Sequence, residues 1–259
     1  MGRVLGHRLL GACILFLVTV AAARGQGVKV RVRDGSARGF LVLRSETGAI
    51  LASGEFSQIP QGNRVKVRLV FHFKDGSLDE ETTVYSQNST FRLISNRLVQ
   101  RGRTFPEPCE MTIDARSQTV SMRPLSKPDQ DAKTEHMDIP PDLSNGLLFN
   151  LIKNLQSNDP EVKVSYLAAS SKPRMVKLAI AMEKEGQFTV AARRIKAAVW
   201  CVKAELGGLT GIVAPMIGKQ PPDTHVWIAE DGVPTIVRVD TALYVGGPVW
   251  SIQLASPVW

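Results

Sequence analysis

Apolar and polar residues alternate with a period of two along most of this chain, the spacing of half-buried β-strands. Val28-Lys29-Val30-Arg31-Val32-Arg33 alternates without a break. Val65, Val67, Leu69, Phe71 and Phe73 form a second set, with Arg64, Lys66, Arg68 and His72 pointing the other way. Lys74-Asp75-Gly76-Ser77 closes that strand, and Asp-Gly supplies the positive φ that a tight hairpin needs. Residues 81–86 return as its antiparallel partner. Phe91-Arg92-Leu93 and residues 109–122 repeat the pattern, the latter turning at 115–118. Further strands are expected at 162–167, 175–182, 188–192, 197–206, 226–229, 235–239 and 249–254. Short sequential strands joined by short turns predict an antiparallel meander.

Two stretches break the rhythm. Residues 124–138 are polar and carry two prolines, which predicts a long surface connection. Pro140-Pro141-Asp142 then opens a helix over 142–155, in which Leu143, Leu147, Leu148, Leu151, Ile152 and Leu155 recur at helical spacing. Asp142 or Ser144 is its candidate cap, and Asn158-Asp159-Pro160 its stop. The expected fold is mainly β: a curved antiparallel sheet, or half-barrel, with this one amphipathic helix covering it.

The N-terminus adds a location. Arg3 and Arg8 precede an unbroken apolar run from Leu9 to Val20, followed by Ala21-Ala22-Ala23. That layout predicts a secretory signal peptide over 1–23, too short for a comfortable membrane span. Leu10-Gly11-Ala12-Cys13 resembles a lipoprotein-processing box, but cleavage there would leave the apolar Ile14 to Val18 on the mature chain. Cleavage after Ala23 leaves one β-rich domain, 24–259, in the periplasm or outside the cell. No second apolar run approaches membrane-spanning length. Losing Arg3 and Arg8 lowers the formal charge from +8 to +6.

Of the three cysteines, Cys109 and Cys201 remain. Export permits a disulfide between them, with two buried free thiols as the alternative. Catalytic signatures are absent: there is no G-x-S-x-G elbow, no H-E-x-x-H helix and no Walker loop. Glu135-His136-x-Asp138 and Asp223-x-His225 offer ligand or acid–base chemistry in principle, but no second motif supports the spacing, and they read as polar loop residues near turns. The chain is therefore read as non-enzymatic, with no metal or cofactor.

Lys29, Arg31 and Arg33, with Arg64, Lys66 and Arg68, line one face of their strands. If those strands are neighbours, the stripe suits anionic lipid head groups or other anionic envelope surfaces; otherwise it is a solvated outer face. Nucleic acid is excluded as a partner, because no aromatic stacking platform accompanies the charge. Residues 207–222 intersperse Gly207, Gly208, Gly211, Pro215 and Gly218 with Leu209, Ile212, Val213, Met216 and Ile217. Such a segment suits a lid over an apolar cavity, or else a buried connector.

The runs Phe71-His72-Phe73-Lys74-Asp75-Gly76-Ser77, Asp138-Ile139-Pro140-Pro141-Asp142-Leu143-Ser144-Asn145-Gly146 and Gly218-Lys219-Gln220-Pro221-Pro222-Asp223-Thr224-His225-Val226-Trp227 resemble those of an uncharacterised family of exported bacterial proteins. The closing Gly247-Pro248-Val249-Trp250 and Ser256-Pro257-Val258-Trp259 belong to the same likeness. Its strand–helix–strand order is more loosely similar to the LolA-like lipoprotein-carrier half-barrel. That resemblance implies a curved sheet around an apolar cavity and fixes no activity.

The leading expectation is an exported module that binds a lipid or other apolar ligand. Its candidate lining residues are Leu147, Leu148 and Leu151 of the helix and Ile212, Val213, Met216 and Ile217 of the lid. The alternative is a structural protein of the cell envelope, docking through its basic strands or an exposed sheet edge.

Overall fold

A computed structural model of the chain describes residues 27–127, 129–170, 172–190, 193–205, 221–229 and 232–255. The expectations placed on residues 1–23, on Ile212, Val213, Met216 and Ile217, and on the closing residues 256–259 lie outside the described residues. The strands run β1 (Ala37–Arg44), β2 (Ile50–Gln61), β3 (Arg64–Phe73), β4 (Leu78–Gln87), β5 (Phe91–Arg101), β6 (Cys109–Asp114), β7 (Thr119–Pro124) and β8 (Lys133–His136). After helix α1 (Leu148–Ile152) come β9 (Val162–Ala168), β10 (Arg174–Val190), β11 (Arg193–Glu205), β12 (Thr224–Ala229), β13 (Thr235–Thr241) and β14 (Trp250–Leu254).

All fourteen strands form one antiparallel sheet, in the order β8-β7-β6-β5-β4-β3-β2-β1-β14-β13-β12-β11-β10-β9. Two meanders are thus joined where β1 pairs with β14, Leu41 opposite Leu254. The sheet is open and curled. Gln100 of β5 donates to the Leu243 carbonyl beyond β13, and the Phe105 and Tyr244 rings meet at 5.8 Å, although these elements are far apart in the strand order.

The period-two reading holds wherever a strand has one wet face. In β3, Val65, Val67, Phe71 and Phe73 are buried while Lys66, Arg68 and His72 are exposed. The hairpin falls at the expected turn, with Gly76 at φ +83° and the Asp75 carboxylate accepting the Ser77 amide. The strands expected at 175–182 and 188–192 are one, β10, which accommodates an irregularity after Met182. β1 and β2 carry too weak an alternation to be read from sequence. Within β2, a Cβ at Gly54 would come 2.5 Å from the Phe71 ring, so that position needs glycine.

Three expectations are corrected. Residues 28–33 are not a strand: they make one isolated bridge, Lys29 to Thr90. The Arg31 and Val32 amides donate instead to Asn154 Oδ1, at 2.8 Å each. Every strand from β1 to β7 is already paired on both sides, so this segment finds no free ladder where it lies. The surface connection at 124–138 contains β8, whose four side chains are all exposed.

The helix is the third correction. It covers only Leu148–Ile152, without a side-chain cap, rather than 142–155. Asp142, Ser144 and Asn145 are instead spent on the outer edge of β9. The Ser165 amide donates to the Asp142 carbonyl, and the Ser144 amide and hydroxyl both donate to the Ser165 carbonyl. The Asn145 side chain then pairs with both the amide and the carbonyl of Leu167, each at 2.8 Å. Gly146, at φ +65°, turns the chain inward. Its Cα packs against Thr83 and Asn96 on the inner face of β4 and β5. This segment therefore wraps round the β9 edge and spans the gap to the opposite wall. The leucine stripe is still buried: Leu143, Leu147, Leu151 and Ile152 all join the core.

Candidate functional site

A cavity of about 1290 Å³ runs through the interior of the curled sheet. The β2–β6 ladder fixes which side chains face it. One inward row is Phe56, Leu69, Glu81, Leu98 and Met111, strand by strand; the next is Gly54, Phe71, Asp79, Gln100 and Cys109. Leu178, Val202, Ile236 and Ile252 supply the facing wall. Phe56, Leu69, Leu98 and Ile236 are only half-buried although they point inward. Large apolar side chains in that state line space rather than fill a core.

Leu148 reaches the cavity, together with Phe149. Leu147 and Leu151 do not; they are packed in the core. One turn of helix places positions 147 and 151 on one side and 148 and 149 on the other. Pro221 and Pro222, the end of the expected lid, border the cavity.

The cavity also has a polar wall that the sequence reading missed. β4 turns Asp79, Glu81 and Thr83 inward, and Gln100 of β5 and Tyr166 of β9 join them. Gln100 Nε2 donates to Asp79 Oδ1 at 2.8 Å, and Asn96 Nδ2 donates to Glu81 Oε1 at 2.8 Å and to Thr83 Oγ1 at 2.9 Å. Among the described residues no cation pairs with either carboxylate. Burial pushes the Asp79 carboxyl up to about 7, helped by the Glu81 charge and opposed by the Gln100 hydrogen bond. Burial raises Glu81 as well, against the pull of Asn96. The Tyr166 phenol is raised by burial and then by the two carboxylates. A signal for this wall was present in the sequence. The tight hairpin after Phe73 sets Asp79 opposite Phe71 and Glu81 opposite Leu69, on the face that β3 buries.

A pH dependence follows. Asp79 is protonated in both folded and unfolded chains well below its ordinary value of 3.8, so burial costs nothing there. The folded chain holds the proton more tightly, so stability falls as pH rises from about 4 to 7 and the loss is complete above 7. Asp79→Asn removes the ionisation. Urea unfolding is expected to show it more stable than the parent at pH 8 and equal to it near pH 4. Equal stability at both pH values would place the Asp79 charge in water.

At the other end of the cavity, Asp34 is buried and accepts from Tyr85 Oη at 2.6 Å, Asn150 Nδ2 at 3.0 Å and Lys153 Nζ at 2.7 Å. This network ties the N-terminal segment to the helix and leaves the carboxylate fully used.

The other sequence candidates do not converge. His72 and His136 are exposed. Thr224 faces the cavity, so its neighbours Asp223 and His225 point outward. There His225 Nε2 lies 3.3 Å from Glu183 Oε2, and Asp223 stands by Cys201 and Lys203. No group of three ligating side chains forms among the described residues. Cys109 and Cys201 are both free and buried, in β6 and β11, so the disulfide is not formed in this structure. Burial pushes the Cys109 thiol up to about 11 and raises Cys201 too, which keeps both protonated and unreactive. Among the described residues no helix is long and apolar enough to cross a membrane.

No protein-family model matches the chain, and no curated protein matches it. Among solved structures it is similar to a beta-barrel-like protein of the domain of unknown function DUF1849 from Brucella abortus. That likeness has 10% identity and a TM-score of 0.46, and covers 88% of this chain and 99% of the other.

Proposed function

We propose that this protein is an exported, non-enzymatic module that binds a lipid or other apolar ligand inside its curled sheet. The observation that carries the reading is the cavity itself, with large apolar side chains lining it half-buried. Its size suits a drug-sized or lipid-like molecule. Asp79 and Glu81 narrow the choice of polar end: their wall repels an anionic head group and accepts a hydrogen-bond donor. Docking through a sheet edge has less support. The β9 edge is already paired, and β8 is four residues long and charged, the design that discourages strand addition.

The test uses N-phenyl-1-naphthylamine, a neutral fluorophore that brightens in apolar surroundings. The protein is expected to bind it with a single saturable site. Ile236→Asp, on the half-buried wall, is expected to weaken binding about tenfold or more, the effect of losing about 1.4 kcal/mol. Because Ile236 is not fully packed, the circular dichroism spectrum should be unchanged. Unaltered dye binding by Ile236→Asp would remove the cavity as the site.

A further inference from the structure

We propose that the rim formed by the starts of β1 and β13, the β2–β3 turn and the end of β14 docks on an anionic phospholipid bilayer, with the cavity opening onto the membrane. The proposal extends the ligand-binding reading by naming the surface from which the cavity would load, but the docking itself is measurable without any ligand.

Exposed apolar side chains are concentrated at this end. Val32, Phe40, Ile59, Val233 and Leu254 lie there, whereas of the large exposed hydrophobics only Ile50 and Val245 lie at the other end, among the described residues. The register makes the grouping contiguous. Leu254 is paired with Leu41 beside Phe40, the Ala255 amide donates to the Phe40 carbonyl, and Val233 immediately precedes β13. Phe40 and Val233 are 72% and 71% exposed, too open to be packing residues. Val32, Val233 and Leu254 also border the cavity, so the apolar rim surrounds an opening.

Cations flank the same rim. Arg33 reaches Asn63 in the β2–β3 turn at 3.2 Å, and Arg38 borders the cavity mouth. Lys66 stands opposite Ile59, and Arg64 begins β3. All four are exposed, and none forms an ion pair among the described residues. Of the nearby acids, Asp34 already holds Lys153, Asp159 holds Arg31 and Glu80 holds Arg68, which leaves Glu55, opposite Phe40. At the far mouth Lys172 and Arg174 are exposed beside Glu107, so cations occur there too, and it is the apolar side chains that distinguish the two ends. Apolar side chains that insert, ringed by cations that meet phosphates, complement an anionic bilayer; a protein partner would more often bury such a patch within a pocketed, charge-depleted interface.

The experiment is flotation of the full chain with vesicles of phosphatidylcholine alone or mixed with phosphatidylglycerol. Binding is expected to the mixed vesicles, several-fold weaker at high salt, and absent from phosphatidylcholine. Arg38→Glu with Lys66→Glu is expected to weaken it about 25-fold or more, at roughly fivefold per cation. Phe40→Asp with Val233→Asp is expected to abolish it, and Lys172→Glu at the far mouth to leave it unchanged. All these side chains are exposed, so each variant should keep the parent's circular dichroism. Equal binding by the rim variants and the parent, equal binding to both vesicle types, no binding at all, or loss on Lys172→Glu would each overturn the docking. Dye binding in solution separates the two readings. Dye bound without flotation ends the docking alone, and flotation without dye binding ends the cavity reading while the docking stands.

Discussion

Gly146→Ala is expected to lower the unfolding free energy by about 3 kcal/mol, the combined effect of a left-handed backbone and an overpacked contact. Gly146 has φ +65°, and a Cβ there would lie 2.6 Å from Asn96 Nδ2 and closer still to Thr83 Oγ1. Neither neighbour yields easily: Thr83 and Asn96 are buried and bonded to each other. This is also the point where the chain leaves the β9 edge and enters the barrel. The midpoint of thermal unfolding should fall by roughly 6–12 °C for a chain of this size. The helix should loosen as well, so dye binding should weaken with stability. A change under 1 kcal/mol in urea unfolding would show that the segment does not close against β4 and β5.

Asp142→Ala is expected to cost about 2–3 kcal/mol through a different cause. Asp142 is buried, and its two oxygens accept from Ser165 Oγ at 2.8 Å and Lys177 Nζ at 2.9 Å. Truncation leaves the Lys177 ammonium with Ser165 Oγ, 2.8 Å away, and without its carboxylate, and the uncompensated charge dominates the cost. Lys177 keeps a third of its side-chain surface, which holds the figure to the lower end. Asp142→Asn keeps an acceptor for Ser165 and should cost less. Adding Lys177→Met to Asp142→Ala should recover part of the loss, because no charge is then stranded. If the double variant is as unstable as the sum of the singles, the pair is not coupled and the β9 edge is held by backbone bonds alone.

The same residues show where sequence reasoning reached and where it stopped. The β3 hairpin and the β6–β7 hairpin were legible because each strand has one wet face and a turn with its own chemistry. The leucines of 143–152 were legible as a buried stripe, since spacing alone brings them to one side. Their helix was overextended, because Asp142 and Ser144 serve equally well as helix caps and as strand partners. Only the neighbouring β9 edge decides between those uses. The basic alternation at 28–33 failed as a strand for a similar reason, its amides being claimed by Asn154 from a distant part of the chain.

The candidate site was less legible than the fold. A cavity is the absence of packing between strands far apart in sequence, and no local pattern encodes it. Leu147 and Leu148 are adjacent and chemically identical, yet one is core and the other lines the cavity. The acids of β4 carry no inward mark of their own, since ordinary patterning puts charge in water. The hairpin register reverses that, and it could have been applied from the sequence. Local periodicity and turn chemistry thus determined an antiparallel β protein with short turns and the leucine stripe. The tertiary structure alone decided that β1 meets β14, that the sheet curls far enough for Gln100 to reach Leu243, and that the space between the two walls is left open as a cavity. Those outcomes depend on long-range pairing and burial, which act between segments that carry no mark of each other in their own spacing.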